Sequence, residues 1–282
     1  MDIQKGTLYL VGTPIGNLDD MTYRAVEVLS KVDLVAAEDT RNSMRLLSHF
    51  DIKKPLVSYH EHNRASRGPQ LIEKLKEGQS IALITDAGMP AVSDPGEDLV
   101  RLCHEQNIPV SPIPGACAAV CAVASSGLDS KKFLFWGFLP VPSAERKESL
   151  QLLKEEQHTC IIYEAPHKLR STLADLLNTL GDRKLTICRE LTKRYEEIRP
   201  TTLAEAVEYY ETCEPRGEFA LVLEGAGKPA APVWDEAQVL ELLRSLMKEG
   251  CSGKEAVKRA MAVTGMKKNQ LYELSLQCKE EQ

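Results

Sequence analysis

No apolar run in the sequence approaches the roughly 20 residues that span a bilayer. The first residues, Met1-Asp2-Ile3-Gln4-Lys5, show no apolar signal-peptide core. Basic charge is not in excess either. The 35 Lys and Arg against 41 Asp and Glu give a formal charge of −6, which argues against a protein that coats nucleic acid non-specifically. The eight cysteines form no CxxC pair. Cys103, Cys160 and Cys188 sit in apolar runs, where free cysteine behaves as a small core residue, so a reducing cytoplasm is the expected compartment. No internal repeat or low-complexity tract is visible. Gly12-Thr13-Pro14-Ile15-Gly16 lacks the third glycine of a dinucleotide fingerprint and the Lys-Ser or Lys-Thr of a P-loop, which weakens nicotinamide and nucleoside-triphosphate readings. There is no GxSxG and no Cys/His pattern for a covalent nucleophile. His60-Glu61-His62 would set two histidines on one side of a strand, yet no third ligand follows at motif spacing, so no metal is expected.

What is there is an ordinary globular composition, 43% apolar and 27% charged, over 282 residues, enough for two domains and a short appendage. The most informative stretch is Asp86-Ala87-Gly88-Met89-Pro90-Ala91-Val92-Ser93-Asp94-Pro95-Gly96. It follows a buried-strand run, Ser80 to Thr85, and precedes an amphipathic helix pattern from Glu97 to Cys103. Glycine lets a backbone approach a ligand, proline fixes loop shape, and aspartate accepts hydrogen bonds from hydroxyls or an amine. A stiff surface turn would use the same residues, but the similar Pro14 loop favours the ligand reading.

Read in order, the chain alternates. Strands are predicted at Gly6–Val11, Asp33–Ala37, Leu56–Tyr59, Ser80–Thr85 and Pro109–Ile113, with helices between them, the first capped by Thr22. That alternation implies a mainly parallel sheet with helices on both faces, and it puts the Pro14, Asp39, His60 and Asp86 loops on one edge. A second alternating set follows: a helix over Ala116–Ser125, a strand run at Phe133–Pro140, a helix from Ser143 to Glu156, a strand at Thr159–Tyr163, a helix over Leu169–Leu180, then strands at Lys184–Cys188 and Phe219–Leu223. The fold class is therefore α/β, with an N-terminal domain over 1–114 and a C-terminal one over 115–228. Gly225 to Pro232 reads as a linker by composition, and 233–282 as a small three-helix tail resembling a helix-turn-helix unit.

The opening Gly6-Thr7-Leu8-Tyr9-Leu10-Val11-Gly12-Thr13-Pro14-Ile15-Gly16-Asn17-Leu18 resembles that of the tetrapyrrole-methylase superfamily. More narrowly, the chain is similar to the branch that methylates a cytidine 2′-hydroxyl of the bacterial small-subunit ribosomal RNA. Ala36-Ala37-Glu38-Asp39-Thr40-Arg41, Asp86 to Pro90, Ser93 to Gly96, Pro114-Gly115, Gly137 to Pro140, Tyr163-Glu164 with Pro166-His167, Arg189 to Lys193 and Gly265 to Tyr272 carry that resemblance in order. Lys168 stands where the family more often has Arg, which keeps the charge and loses the planar fork.

The resemblance implies two α/β domains with S-adenosyl-L-methionine in the cleft between them, a homodimer, and 16S ribosomal RNA in the small subunit as partner, with no membrane. Pro14, Gly16, Asp86, Gly88, Pro90, Ser93, Asp94, Gly115 and Ala116 are then the expected cofactor residues. A ribose hydroxyl is a poor nucleophile, so a base or a nearby cation should help it. Asp39 is the expected base, with Arg41, Lys193 and Glu190 completing the catalytic set. His60, His62, His167, Lys168, Arg194, Lys267 and Lys268 are the expected RNA contacts. Each acid–base pair could equally be a plain ion pair between strand ends. Two other classes compete: a tetrapyrrole C-methyltransferase, which has no use for the basic tail, and a non-catalytic ribosome-binding factor, which has no use for an intact Asp86 loop.

Overall fold

The structure, a computed structural model, describes residues 2–141, 143–227 and 234–280. Most of the expected linker, residues 228–232, and Val233 at the start of the expected tail lie outside the described residues. Residues 1–225 form one compact unit and 226–282 another.

The first sheet holds β1 (Leu8–Val11), β2 (Leu34–Ala37), β3 (Leu56–Ser58), β4 (Ile81–Ile84) and β5 (Val110–Ile113) in the order β3-β2-β4-β1-β5. Every pairing is parallel. Strand side chains alternate between the two faces of a sheet. Tyr9, Val11, Val35, Ala37, Ala82 and Ile84 thus pack on α1 (Tyr23–Lys31) and α2 (Thr40–His49). Leu8, Leu34, Ala36, Ile81 and Leu83 pack on α3 (Arg64–Lys76) and α4 (Glu97–Glu105). Burial on both faces is why the central strands β1, β2 and β4 read as continuous apolar runs.

The helices after β1 and β2 cover one face, while the helix after β4 covers the other, and β4 lies between β2 and β1. Loops leaving adjacent strands toward opposite faces open a crevice at the strands' carboxyl ends. The Asp86 loop therefore stands in the middle of that crevice.

The second sheet holds β6 (Phe133–Phe138), β7 (Thr159–Glu164), β8 (Lys184–Arg189), β9 (Glu197–Thr202) and β10 (Phe219–Leu223) in the order β6-β7-β10-β8-β9. Only β6 and β7 are parallel, so this sheet is mixed, unlike the first. One face packs on α6 (Ala144–Glu155), α7 (Pro166–Leu180) and α8 (Leu203–Thr212), the other on α5 (Ala118–Ser125). Two elements were not predicted. Strand β9 is a polar edge strand with Pro200 inside it, which only an edge tolerates. Helix α8 begins with a capping box between Thr202 and Glu205. Helix α7 starts three residues earlier than expected, because Pro166 fits the first helical position, where no N–H is needed. His167 and Lys168 accordingly lie on its first turn, not in a strand-end loop. Burial pushes the Cys103 and Cys188 thiols up to about 11 and that of Cys160 up to about 12, so they pack rather than react.

The smaller unit is three helices, α9 (Glu236–Lys248), α10 (Gly253–Thr264) and α11 (Lys268–Glu280). They close around Val239, Leu243, Val257, Ala260, Leu271 and Leu274. Asp235 and Ser252 begin the first two with capping boxes, and Gly265 ends the second in the left-handed conformation. No helix of the described residues is long and apolar enough to cross a membrane.

Candidate active site

The Pro14 and Asp86 loops are tied together by backbone. Thr13 N donates to the Gly88 carbonyl at 2.9 Å, Gly88 N donates back at 3.1 Å, and the Thr13 hydroxyl donates to the Thr85 carbonyl at 3.1 Å. Gly88 holds φ at +85°, where a side chain would be strained, and a Cβ there would stand 3.5 Å from the Ala116 carbonyl. Gly12 faces Gly115 so closely that a Cβ on it would meet the Gly115 Cα at 2.7 Å. Three loops from β1, β4 and β5 therefore form one rigid rim.

Between this rim and the second sheet lies a cavity of about 520 Å³, within the usual range for a small-molecule site. Ile15, Met89, Val92, Phe138, Tyr163 and Leu191 supply apolar wall. The second sheet reaches it through the carboxyl ends of β7 and β8 and the amino end of β10, brought level by their antiparallel register. Its ionisable lining includes five carboxylates, Glu38, Asp86, Asp94, Glu164 and Glu218, and among the described residues no Lys, Arg or His, although Lys193 just outside binds Glu218. Such a lining repels phosphate and favours a cationic ligand.

The carboxylates are held individually. The Asn42 amide donates to Asp86 at 2.9 Å, and the Thr85 hydroxyl donates to Glu38 at 2.7 Å. Glu164 is 4% exposed; it accepts from the Thr172 hydroxyl at 2.6 Å and from the Ala165 N–H at 2.8 Å. Behind Thr172 lies Arg146, also buried, donating to Thr172 at 3.0 Å and bound to Asp175. Burial pushes the Asp94 carboxyl up to about 6; the charges of Glu38 and Asp86 add to this, and hydrogen bonding from Thr85 opposes it.

Four non-glycine residues near the cavity, Ala91, Ser93, Glu190 and Thr192, have positive φ. The other two such residues among those described, Asp51 and Asn107, follow the ends of α2 and α4. Strain of this kind persists where packing over-determines the chain, and it collects at ligand sites. The Thr192 hydroxyl is buried with no partner among the described residues.

Of the expected cofactor residues, Asp86, Gly88, Ser93 and Asp94 line the cavity, while Pro14, Gly16, Pro90, Gly115 and Ala116 belong to the loops that shape it. Asp39 caps α2 by accepting from the Arg41 N–H, and its carboxylate also takes Arg41 Nε at 3.2 Å and Nη2 at 2.8 Å. The Arg41 guanidinium accordingly holds the Asp39 carboxyl down at about 2. Lys193 lays its stem on Gly16 and donates to Glu190 at 2.9 Å and Glu218 at 2.8 Å. Burial works against its charge, but those two carboxylates outweigh it and its pKa is raised. It ties the Pro14 loop to the second sheet.

His60 and His62 lie on a turn, not on a strand. Asn63 holds that turn by accepting from the His60 N–H at 2.9 Å, and the two rings meet edge-on at 6.0 Å. Arg194 lies over the Tyr195 ring, 5.6 Å from its centroid. Lys267 and Lys268 are exposed on the smaller unit. Sequence reasoning missed Glu38, Asn42, Thr85, Thr172 and Arg146. Only Glu38 carried a signal, since it lies inside a quoted motif.

Comparison with known proteins gives consistent matches. The profile of the Tetrapyrrole (Corrin/Porphyrin) Methylases matches residues 7–207, and that of the RsmI C-terminal HTH domain matches 234–279. A protein of Synechocystis named ribosomal RNA small subunit methyltransferase I is 50% identical over 273 residues, covering 96% of this chain and 98% of that one. Proteins of the same name from Halalkalibacterium halodurans and Escherichia coli O157:H7 are 47% and 43% identical, covering 96% and 98% of this chain and 94% and 96% of theirs. Among solved structures, uroporphyrin-III-C-methyltransferase from Thermus thermophilus superposes with a TM-score of 0.55 at 20% identity, covering 79% of this chain and 95% of that one. Diphthine synthase superposes with a TM-score of 0.62 at 14% identity, covering 77% and 90%. These two likenesses establish the fold alone.

Proposed function

Because the chain belongs to the tetrapyrrole methylases, in the branch of the small-subunit ribosomal RNA methyltransferases I, we propose that it moves a methyl group from S-adenosyl-L-methionine to a cytidine 2′-hydroxyl of 16S ribosomal RNA. The observation that carries the cofactor assignment is the cavity lined by five carboxylates, of which Glu218 alone is ion-paired among the described residues, to Lys193. S-adenosylmethionine supplies a methyl already activated on a sulfonium, and a sulfonium and an ammonium suit such walls. Asp86 and Glu38 would accept from the cofactor's donors, and the backbone at Gly88 and Ala116 would approach it closely. Ile15, Met89, Phe138 and Tyr163 would exclude water from its apolar parts. The chain's task is then chiefly to hold donor and acceptor in line.

RNA phosphates would stay outside this acidic cavity. Arg41, His60, His62, His167, Lys168, Lys193 and Arg194 are the contacts we assign to them in the larger unit. Glu190 keeps Lys193 in place, so Lys193 serves the RNA through position more than as a free charge. The smaller unit contributes Lys267 and Lys268. Family resemblance also implies a homodimer, and the exposed Phe133 and Leu134 on the sheet-edge strand β6 are apolar surface of the kind a second copy would cover. Sedimentation at micromolar concentration reads this directly.

Transfer of labelled methyl to small subunits, mature and immature, and to naked RNA tests the function. Recovery of 2′-O-methylcytidine after digestion supports it; label in a tetrapyrrole but never in RNA refutes it. Deleting residues 226–282 should leave cofactor affinity within roughly twofold and raise KM for the RNA substrate at least tenfold. Loss of cofactor binding on truncation would instead put the tail in the cofactor's service.

A further inference from the structure

Asp94 stands where two cavities share a wall. Beside the apolar cavity lies a polar one of about 410 Å³, lined in part by Glu61, Arg64 and Glu97; Glu38, Ser93 and Asp94 line both. The loop is held there in a strained shape, with Ala91 and Ser93 at φ of 65° and 64°. The groups that face Asp94 are mostly acidic. Glu38 comes from the loop after β2, Asp86 from its own loop and Glu97 from α4. Glu61 and Arg64, before and at the start of α3, are paired with each other at 2.8 Å. Tyr163 comes from β7. No Lys, Arg or His of the described residues lies within ion-pair distance of the Asp94 carboxylate.

We propose that Asp94, rather than Asp39, is the general base of the transfer, accepting the proton of a ribose hydroxyl that enters through the polar cavity while the donor occupies the apolar one. This rests on the reading of the chain as a ribose methyltransferase. In the step, the 2′-oxygen forms a bond to the methyl carbon as its O–H bond breaks and the proton passes to Asp94. The carbon–sulfur bond breaks, and its electron pair stays on sulfur, turning the sulfonium into a neutral thioether. The proton then leaves Asp94 to solvent through the polar cavity.

Chemistry separates the two aspartates. Both oxygens of Asp39 are occupied by Arg41, and a carboxyl near 2 is a poor proton acceptor. Asp94, near 6, is ionised at neutral pH and far more basic, and a base is most useful when its pKa approaches the working pH. The sign follows: activity should fall on the acid side as Asp94 takes up a proton, at about 6 in the free protein and lower once the cationic donor fills the adjoining cavity.

Three measurements test this. NMR titration of the Asp94 carboxyl in cofactor-free protein should give a midpoint near 6 that Glu38→Gln moves down by roughly half a pH unit or more, by removing a neighbouring charge. The acid limb of the single-turnover rate on small subunits should move with it. Asp94→Asn should slow that turnover by about 100-fold or more while calorimetric affinity for S-adenosylmethionine stays within about threefold. A rate above a tenth of wild type in Asp94→Asn would overturn the proposal. So would an acid limb that stays put while the Asp94 titration moves. If Asp94→Asn does not fold, the Glu38→Gln comparison decides alone. If the wild-type protein transfers no methyl to RNA although Asp94 titrates near 6, the ribose-methylation reading is what fails, and the base assignment falls with it.

Discussion

Gly12→Ala should weaken S-adenosylmethionine binding at least tenfold, about 1.4 kcal/mol, in a protein that still folds. The added Cβ would lie 2.7 Å from the Gly115 Cα, 2.8 Å from the Gly115 nitrogen and 2.8 Å from the Met89 sulfur. Carbon atoms in contact sit at about 3.5 Å or more, so the β1 and β5 loops must part by several tenths of an ångström. They cannot do so freely. Gly12 N donates to the Ile113 carbonyl at 3.1 Å, and its neighbour Thr13 is bonded both ways to Gly88. The strain therefore passes into the Asp86 loop and the cavity wall, at a cost of about 1–3 kcal/mol of stability. Gly115→Ala should do the same, and the double variant should cost less than the sum, because one separation accommodates both methyls. Calorimetry of cofactor binding is the measurement; wild-type affinity in folded Gly12→Ala would show that this rim does not shape the site.

Arg146→Met should be among the most destabilising single changes in the larger unit, by about 3 kcal/mol. The side chain is only 7% exposed, and its guanidinium makes four contacts to three acceptors: Asp175 through Nε and Nη2, the Pro140 carbonyl at 3.0 Å, and the Thr172 hydroxyl at 3.0 Å. Methionine fills similar space and offers no donor. The Pro140 carbonyl and one lone pair of Thr172 are then left buried without a partner, which is what makes such losses expensive. Asp175 is 42% exposed and can turn to water, which keeps the figure toward the low end for a broken buried pair. For a unit of this size the melting temperature should fall by roughly 6–12 °C. The exposed pair Arg216–Glu214, broken by Arg216→Met, should change it by less than a degree or two. A drop below about 2 °C in Arg146→Met would mean the network contributes little stability. A modest loss of cofactor affinity should accompany the large drop, because Thr172 fixes Glu164 on the cavity wall.

The first sheet was legible because its central strands β1, β2 and β4 are buried on both faces and every strand is followed by a helix, so the alternation announced a parallel order. The Asp86 loop was legible from composition. The second sheet was not. Strands β7, β8 and β10 are just as apolar, and an apolar run does not say whether its neighbour is parallel. Strand β9 was hidden by polar residues and by Pro200. Helix α8 could have been found, since Thr202 and Glu205 stand at capping-box spacing before an apolar pattern. Long-range partnerships left no trace in sequence: Asn42 with Asp86, Glu38 with Thr85, and Arg146 with Thr172 are separated by 44, 47 and 26 residues. Asp39 looked like a base because it ends a strand beside the crevice. That it is committed to Arg41 is a matter of side-chain geometry two residues away, which no pattern discloses.

The acidic lining of the cavity bears on what happens after each reaction. On the proposed function, S-adenosylmethionine would enter with a net charge of about +1 at neutral pH, two cationic centres against one carboxylate, and its product would leave with none. On that reading, walls carrying Glu38, Asp86 and Glu164 would hold the first more firmly than the second, with no moving part needed to tell them apart. Discharge of the sulfur would then weaken the grip in the same event that completes the chemistry.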